Sequence, residues 1–282
     1  MIVITGATGQ LGRLVITHLL KTTPAAQIVA AVRDPAKAAD LAAQGVQVRR
    51  ADYNDPASLD AALQGATKVL LISSSEIGER LPQHRNVIDA AVRAGVSLLA
   101  YTSVLHADQS LLGLAAEHRE TEELIRASGL HYSLLRNGWY AENHTAGLKG
   151  ALEHGALAGA AGDGKIAAAS RDDYAEAAAV VLSSAQPVQQ VYELAGDHAF
   201  TLSEMAAEAA RQTGRPLPYQ NLGQQEYRDL LLNVGVPAVF ADLLANSDFA
   251  ASKGALFDDS GTLGKLIGRP TITLTEAVKA AL

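Results

Sequence analysis

The chain opens Met1-Ile2-Val3-Ile4-Thr5-Gly6-Ala7-Thr8-Gly9-Gln10-Leu11-Gly12, and these residues decide its fold. A short apolar strand runs into a turn with glycine at positions 6, 9 and 12, and a helix follows. One glycine allows the tight turn, another lets backbone N–H groups approach a pyrophosphate, and the third permits close helix–strand packing. The helix start adds unpaired donors and partial positive charge for phosphates. The spacing alone is a weak signal. A strand before it and a helix after it make it a dinucleotide-binding turn.

Outward from this turn, apolar runs at residues 27–32, 46–49, 68–73, 97–102 and 132–136 read as strands. They alternate with helical patterns near 10–23, 35–44, 56–64, 80–95 and 114–128. Runs such as Val69-Leu70-Leu71-Ile72 are apolar on both faces, which suits a parallel sheet covered by helices on each side. Asp55-Pro56 precedes one helix, and Gly45, Gly65, Gly95 and Gly129 follow others. A repeated β-α order with right-handed crossovers predicts an α/β, Rossmann-type, doubly wound parallel sheet. After about Trp139 the rhythm changes: residues 145–170 are rich in Ala and Gly, and 171–184 look helical. Residues 190–194 return as a strand, and the rest is mostly helical. The expected division is 1–142 plus 187–196 for the nucleotide-binding domain, with 143–186 plus 197–282 as a smaller, mostly helical substrate-side lobe.

The 282 residues carry 23 Lys+Arg against 30 Asp+Glu, a formal net charge of −7. Hydrophobic residues make up 48 %, far too much for a disordered chain. The acidic balance, with no run of Lys/Arg, argues against a nucleic-acid partner. There is no cysteine, so disulfides, thiolate nucleophiles and cysteine-held metals are excluded. Eight histidines never form a ligand cluster, so no metal is expected. No stretch reaches the roughly 20 apolar residues of a membrane span, and the start lacks a basic leader. A cytoplasmic location is the expectation.

An acidic residue at the end of the second strand would accept bonds from the ribose hydroxyls of NAD. Here Ala30-Ala31-Val32 leads to Arg33, with Asp34 one step on as a cap before Pro35. A guanidinium binds a 2′-phosphate through charge-assisted bonds worth on the order of 1.5–3 kcal/mol, so NADP is the expected cofactor. The bland alternative is a solvated surface arginine. Ser73, Ser74 and Ser75 follow the fourth strand, and Thr102 and Ser103 the fifth, at the strand ends where ligands of such sheets sit. Serines are also ordinary turn residues. Asp52, after the third strand, is either an adenine contact or a turn acid.

A Tyr-x-x-x-Lys pair on a helix, the usual proton-transfer machinery of short-chain dehydrogenases, is missing. Where it belongs the chain reads Glu117-His118-Arg119-Glu120-Thr121-Glu122, by default a solvated charged face. The string Gly159-Ala160-Ala161-Gly162-Asp163-Gly164-Lys165 has phosphate-loop spacing, but Ile166 stands where Ser or Thr is required. A turn near the active site is expected there instead.

The opening turn, Arg33 and the missing Tyr/Lys pair together resemble the atypical short-chain dehydrogenases of the NmrA-like family. Leu71-Ile72-Ser73-Ser74-Ser75-Glu76, Pro82-Gln83-His84-Arg85-Asn86 and Tyr101-Thr102-Ser103 bring the likeness closer. So do Leu135-Arg136-Asn137-Gly138-Trp139-Tyr140, Gly162-Asp163-Gly164-Lys165, Ser252-Lys253-Gly254 and Leu256-Phe257-Asp258-Asp259. Over its full length the chain is similar to the flavin-free bacterial NADPH:quinone oxidoreductases of the second type. That resemblance implies that Gly6, Ala7, Thr8, Gly9, Gln10 and Leu11 hold the pyrophosphate and Arg33 the 2′-phosphate of NADPH. It also implies that Ser73, Ser74 and Ser75 line the ribose and nicotinamide side. Asn137, Gly138, Trp139 and Tyr140 would close over the nicotinamide, with Trp139 and Tyr140 as aromatic walls for a quinone.

The missing pair fits such a substrate. A ketone needs a proton delivered to a developing alkoxide, whereas a quinone yields a stabilised hydroquinone anion that water can protonate. Proximity and orientation then supply most of the catalysis, and no residue stands out as catalytic. Two alternatives share the same turn: a non-catalytic NADP sensor acting through a protein partner, and a reductase of other electron-poor alkenes or ketones. A homodimer is the assembly left open.

Overall fold

The structure is a computed structural model and describes residues 1–186 and 188–282. Pro187, which begins the segment expected at 187–196, lies outside the described residues. The alternating pattern folds as β1 (Ile2–Thr5), α1 (Gln10–Leu19), β2 (Ile28–Val32), α2 (Ala39–Ala43) and β3 (Gln47–Arg50). It continues through α3 (Pro56–Ala62), β4 (Lys68–Leu71), α4 (Arg80–Arg93), β5 (Leu98–Val104), α5 (Ala115–Ala127) and β6 (Tyr132–Asn137). After α6 (Ala141–Thr145), α7 (Leu148–His154), β7 (Leu157–Gly159) and α8 (Arg171–Ser183), β8 (Val191–Leu194) completes the sheet.

The sheet has seven strands in the order β3-β2-β1-β4-β5-β6-β8. β1 pairs in parallel with β2 (Ile2↔Ile28) and with β4 (Ile2↔Lys68). The order reverses at β1, and a crevice therefore opens at the carboxyl ends of β1 and its neighbours. Every residue of β1, β2 and β5 is buried, as strands covered on both faces require. Val3, Val29, Val69, Leu71, Leu99 and Tyr101 form a core with Leu59, Val87, Ile88 and Ile125 from α3, α4 and α5. Residues of opposite parity, such as Ile4 and Leu70, face the other side.

Two compact units result: Met1–Ala107, Ala116–Asn137 and Arg171–Tyr192 form one, and Asp108–Ala115, Gly138–Ser170 and Glu193–Leu282 the other. The sequence pattern alone puts α8 in the smaller lobe. In the structure it groups with the first unit, for two visible reasons. Buried His18 of α1 pairs with Asp172 of α8 at 2.7 Å, and the Lys68 ammonium of β4 donates to the carbonyls of Leu182 (2.8 Å) and Ser184 (2.7 Å). In the second unit β7 pairs in parallel with a short β9 (Tyr219–Asn221), neither legible in the sequence. Helices α9 (Leu202–Thr213), α10 (Gln224–Asn233), α11 (Ala238–Ala251), α12 (Thr262–Ile267) and α13 (Leu274–Ala281) follow the expected helical pattern. Capping boxes at Thr201/Glu204 and Thr273/Glu276 start α9 and α13.

The start of α1 is the tightest point of the first unit. A Cβ on Gly12 would stand 2.6 Å from the Gly6 carbonyl oxygen and 2.8 Å from the Ala7 Cα, both backbone atoms. Gly12→Ala should therefore lower stability by about 1–3 kcal/mol in urea unfolding, although alanine is the better helix former.

Candidate dinucleotide-binding site

Gly6 adopts φ +59°, which few side chains tolerate, and its carbonyl accepts from the Gly9 amide at 2.9 Å. Gly9 caps α1 without a side-chain bond, so no side chain among the described residues covers the first-turn amides. Gly6, Gly9 and Gln10 are exposed and Thr8 half-buried, whereas Ala7 and Leu11 point into the core. Any phosphate contact from Ala7 or Leu11 is therefore a backbone contact.

Buried Thr5 ties the end of β1 to β4. Its hydroxyl donates to the Leu70 carbonyl (3.0 Å) and accepts from the Ile72 amide (3.1 Å). The Tyr53 hydroxyl lies within hydrogen-bond reach of both the Thr5 hydroxyl and the Ile72 carbonyl (2.8 Å), its one proton serving one of them at a time. Asp52 accepts the Asn54 amide at 2.9 Å, as a turn acid does.

Arg33 stands one residue past β2 with its side chain 70 % exposed, and Nη1 donates to Glu76 Oε1 at 3.0 Å. Asp34 is the helix cap that its place before Pro35 predicts, accepting the Ala36 amide at 3.0 Å. The Ser73–Ser75 turn is held from beneath. Ser73 N–H donates to Thr102 Oγ1 (2.8 Å), and Ser74 N–H donates to His84 Nε2 (2.9 Å). His84 Nε2 therefore carries no proton, and Nδ1–H points to Thr121 Oγ1 at 2.9 Å. Burial pulls the His84 imidazole down to about 3, so it stays in this neutral form. Thr102 thus acts by shaping the serine turn.

Ser103 and the helix at 117–122 differ most from the sequence expectation. His118 and Glu122 are buried, not solvated: α5 turns them against the sheet. His118 Nδ1 meets the Tyr101 hydroxyl at 2.7 Å, and burial pulls His118 down to about 3 while pushing the tyrosine up. Ser103 Oγ donates to Glu122 Oε1 at 2.6 Å, and Arg136 clamps the same carboxylate through Nε (2.9 Å) and Nη2 (2.7 Å). Burial raises the Glu122 carboxyl, but Arg136, Ser103 and Arg126 outweigh it and hold it below the usual range.

Asn137 ends β6 in the first unit. Its Oδ1 is buried with no hydrogen-bond partner among the described residues. Gly138, Trp139 and Tyr140 belong to the second unit. Gly138 is buried and its amide donates to the Leu194 carbonyl at 2.7 Å. Trp139 and Tyr140 are half-buried; Tyr140 starts α6 and pairs with Ala169. The same unit holds a cavity of about 370 Å³ lined by Glu142, Thr145, Lys149, Ser170, Ile272 and Ala277 among others. The phosphate-loop look-alike is spent on the fold. Amides of Ala160, Ala161 and Gly162 donate to Asp248 (2.9 Å), the Tyr219 hydroxyl (3.2 Å) and Asn221 (2.9 Å).

Glu76, Gln83 and His84 join the site without having been expected there as site residues. One sequence signal was present: Arg80, Gln83 and His84 share the helical stripe of Val87, Ile88 and Ala91, an apolar face with polar interruptions.

The profile of the NAD(P)H-binding family matches residues 6–185. The chain belongs to that family. It is 62 % identical over 278 residues to quinone oxidoreductase 2 of Escherichia coli, covering 99 % of this chain and 97 % of the relative. The crystal structure of the Escherichia coli NADPH-dependent quinone oxidoreductase complexed with NADPH matches with a TM-score of 0.98, covering 99 % of each chain at 62 % identity. A Citrobacter triphenylmethane reductase complexed with NADP(H) matches at TM-score 0.96 and 41 % identity, covering 100 % of each chain. The Rossmann-type sheet and its glycine turn are therefore those of an NAD(P)H-binding protein.

Glu122 offers a stability test of the scaffold behind this NAD(P)H site. Glu122→Gln removes the buried carboxylate that Arg136, Ser103 and Arg126 hold and should cost about 1.5–3 kcal/mol in urea unfolding at pH 7. The folded carboxyl lies below its unfolded value of about 4.3, so its stabilisation is complete above that pH and is lost as pH falls through the folded value. The variant's stability should accordingly be flatter across pH 3–5, on the order of that titration window.

Proposed function

We propose that this chain is an NADPH-dependent quinone oxidoreductase that works by direct two-electron hydride transfer, without flavin. The observation that carries this is the exposed glycine turn with Arg33 at the end of β2, in a chain 62 % identical over nearly its whole length to a quinone oxidoreductase. Amides of Gly6, Ala7, Thr8, Gly9, Gln10 and Leu11 hold the pyrophosphate, and Arg33 binds the 2′-phosphate. Ser73, Ser74 and Ser75 line the ribose and nicotinamide side. Asn137 Oδ1, a buried acceptor lacking a donor among the described residues, fits the carboxamide N–H of a nicotinamide. Gly138, Trp139 and Tyr140 take the acceptor side, with the two aromatic rings against the quinone.

NADPH, when bound, supplies the hydride. The chain's own groups orient the reactants and keep their protons. Burial pushes the Tyr53 and Tyr101 hydroxyls up, and both are committed to internal hydrogen bonds. His84 and His118, pulled down to about 3 by burial, are neutral at any working pH. Solvent protonates the hydroquinone anion.

Purified protein should oxidise NADPH when a benzoquinone or naphthoquinone is added, and should show no absorbance above about 340 nm without cofactor. Its kcat should vary less than about twofold between pH 6 and 9, because none of these groups titrates there. Trp139→Ala should raise the quinone KM more than the NADPH Kd. Tight NADPH binding with no quinone-dependent oxidation would overturn the quinone reading and make a search for a protein partner of an NADP sensor the next step. Arg33→Ala should remove most of any preference for NADPH over NADH in isothermal titration, and unchanged NADPH affinity in that variant would refute the 2′-phosphate assignment.

A further inference from the structure

Resting on the assignment of Arg33 to the 2′-phosphate, we propose that Glu76 narrows the cofactor preference by sharing that guanidinium, so that the site accepts NADH as well as NADPH. β2 and β4 flank β1 on opposite sides. The Arg33–Glu76 pair, 3.0 Å long, therefore spans the end of β1 where the glycine turn begins. Any dinucleotide on that turn meets both charges.

Glu76 is not a loose surface carboxylate. Its Oε2 accepts from Gln83 Nε2 at 2.8 Å, and Gln83 is 2 % exposed. Gln83 Oε1 is buried without a hydrogen-bond partner among the described residues. The amide thus spends its donor end on Glu76 while its acceptor end goes unmatched; reversed, it would set an oxygen against the carboxylate. The Glu76 amide donates to Ser74 Oγ at 3.1 Å, and Ser74 is itself fixed by His84. Asp34, the neighbouring acid, is committed to its helix cap.

Two consequences oppose each other. A 2′-phosphate carries about two negative charges and must share Arg33 with a carboxylate that is held in place. A 2′-hydroxyl instead donates to that carboxylate, the role played by the strand-end acid of NAD enzymes. Glu76 therefore weakens NADPH and supports NADH at one position.

Titration calorimetry of both cofactors on the full-length protein and on Glu76→Gln, Gln83→Leu and Arg33→Ala tests this. Glu76→Gln keeps size and polarity at a half-exposed position. It should bind NADPH about three- to fivefold tighter and NADH no tighter, an effect that shrinks as salt is raised. Gln83→Leu, which removes the tether and its unmatched oxygen together, should move the ratio in the same direction by less. If Arg33→Ala weakens NADPH but Glu76→Gln leaves the NADPH/NADH ratio unchanged or lowers it, Glu76 has no such role and the Arg33 assignment stands. If Arg33→Ala leaves NADPH binding intact, the assignment and the proposal fall together.

Discussion

The first unit depends on one close approach: the Gly6 carbonyl oxygen lies only 2.6 Å from the point where a side chain on Gly12 would begin. That contact lets α1 start directly over the end of β1. With Gly9 as a cap that offers no side chain, the helix presents its first amides to whatever lies in the crevice. Gly6 at φ +59° makes the bend that brings the two together. The strand order reverses at the same β1, so phosphate recognition and the opening of the crevice share one origin.

Beneath that turn the strand ends are braced by buried hydroxyls and imidazoles. Thr5 and Tyr53 join β1 to β4, Thr102 and His84 set the serine turn, and Thr121 fixes the His84 tautomer. Each such group is satisfied by a specific neighbour, which gives the loops defined positions despite their exposure. Two atoms near the crevice stand out because they are not satisfied. Asn137 Oδ1 and Gln83 Oε1 are both buried without partners among the described residues. An unmatched buried acceptor costs stability, and at the rim of a ligand crevice it marks a place where function competes with folding.

The chemistry follows from what the buried groups are unable to do. The tyrosines near the strand ends are held protonated by burial, and the histidines are held neutral. An acceptor whose product needs an enzymic proton donor would be poorly served by such a scaffold. A quinone, which becomes aromatic on reduction, makes no such demand. The absence of a Tyr/Lys pair is therefore consistent with the environment that replaces it: α5 contributes a structural Glu122–Arg136 clamp at 2.7 Å where short-chain dehydrogenases place catalytic groups.

The sequence by itself determined the alternating strands and helices, the glycine turn and the strand-end arginine. These are local signals: period, capping residues and glycine spacing are written within a few neighbours. It also determined that cysteine chemistry was excluded. Tertiary structure alone decided which polar residues became internal. His118 and Glu122 look like part of a solvated helix face until α5 meets the sheet and Arg136 arrives from β6 to neutralise the Glu122 carboxylate. The same holds for α8, whose place in the first unit depends on His18 and Lys68, 154 and 114 residues away from their partners in α8. Partners that far apart in the chain leave no periodic trace, because the contact exists only once the sheet has brought the ends together.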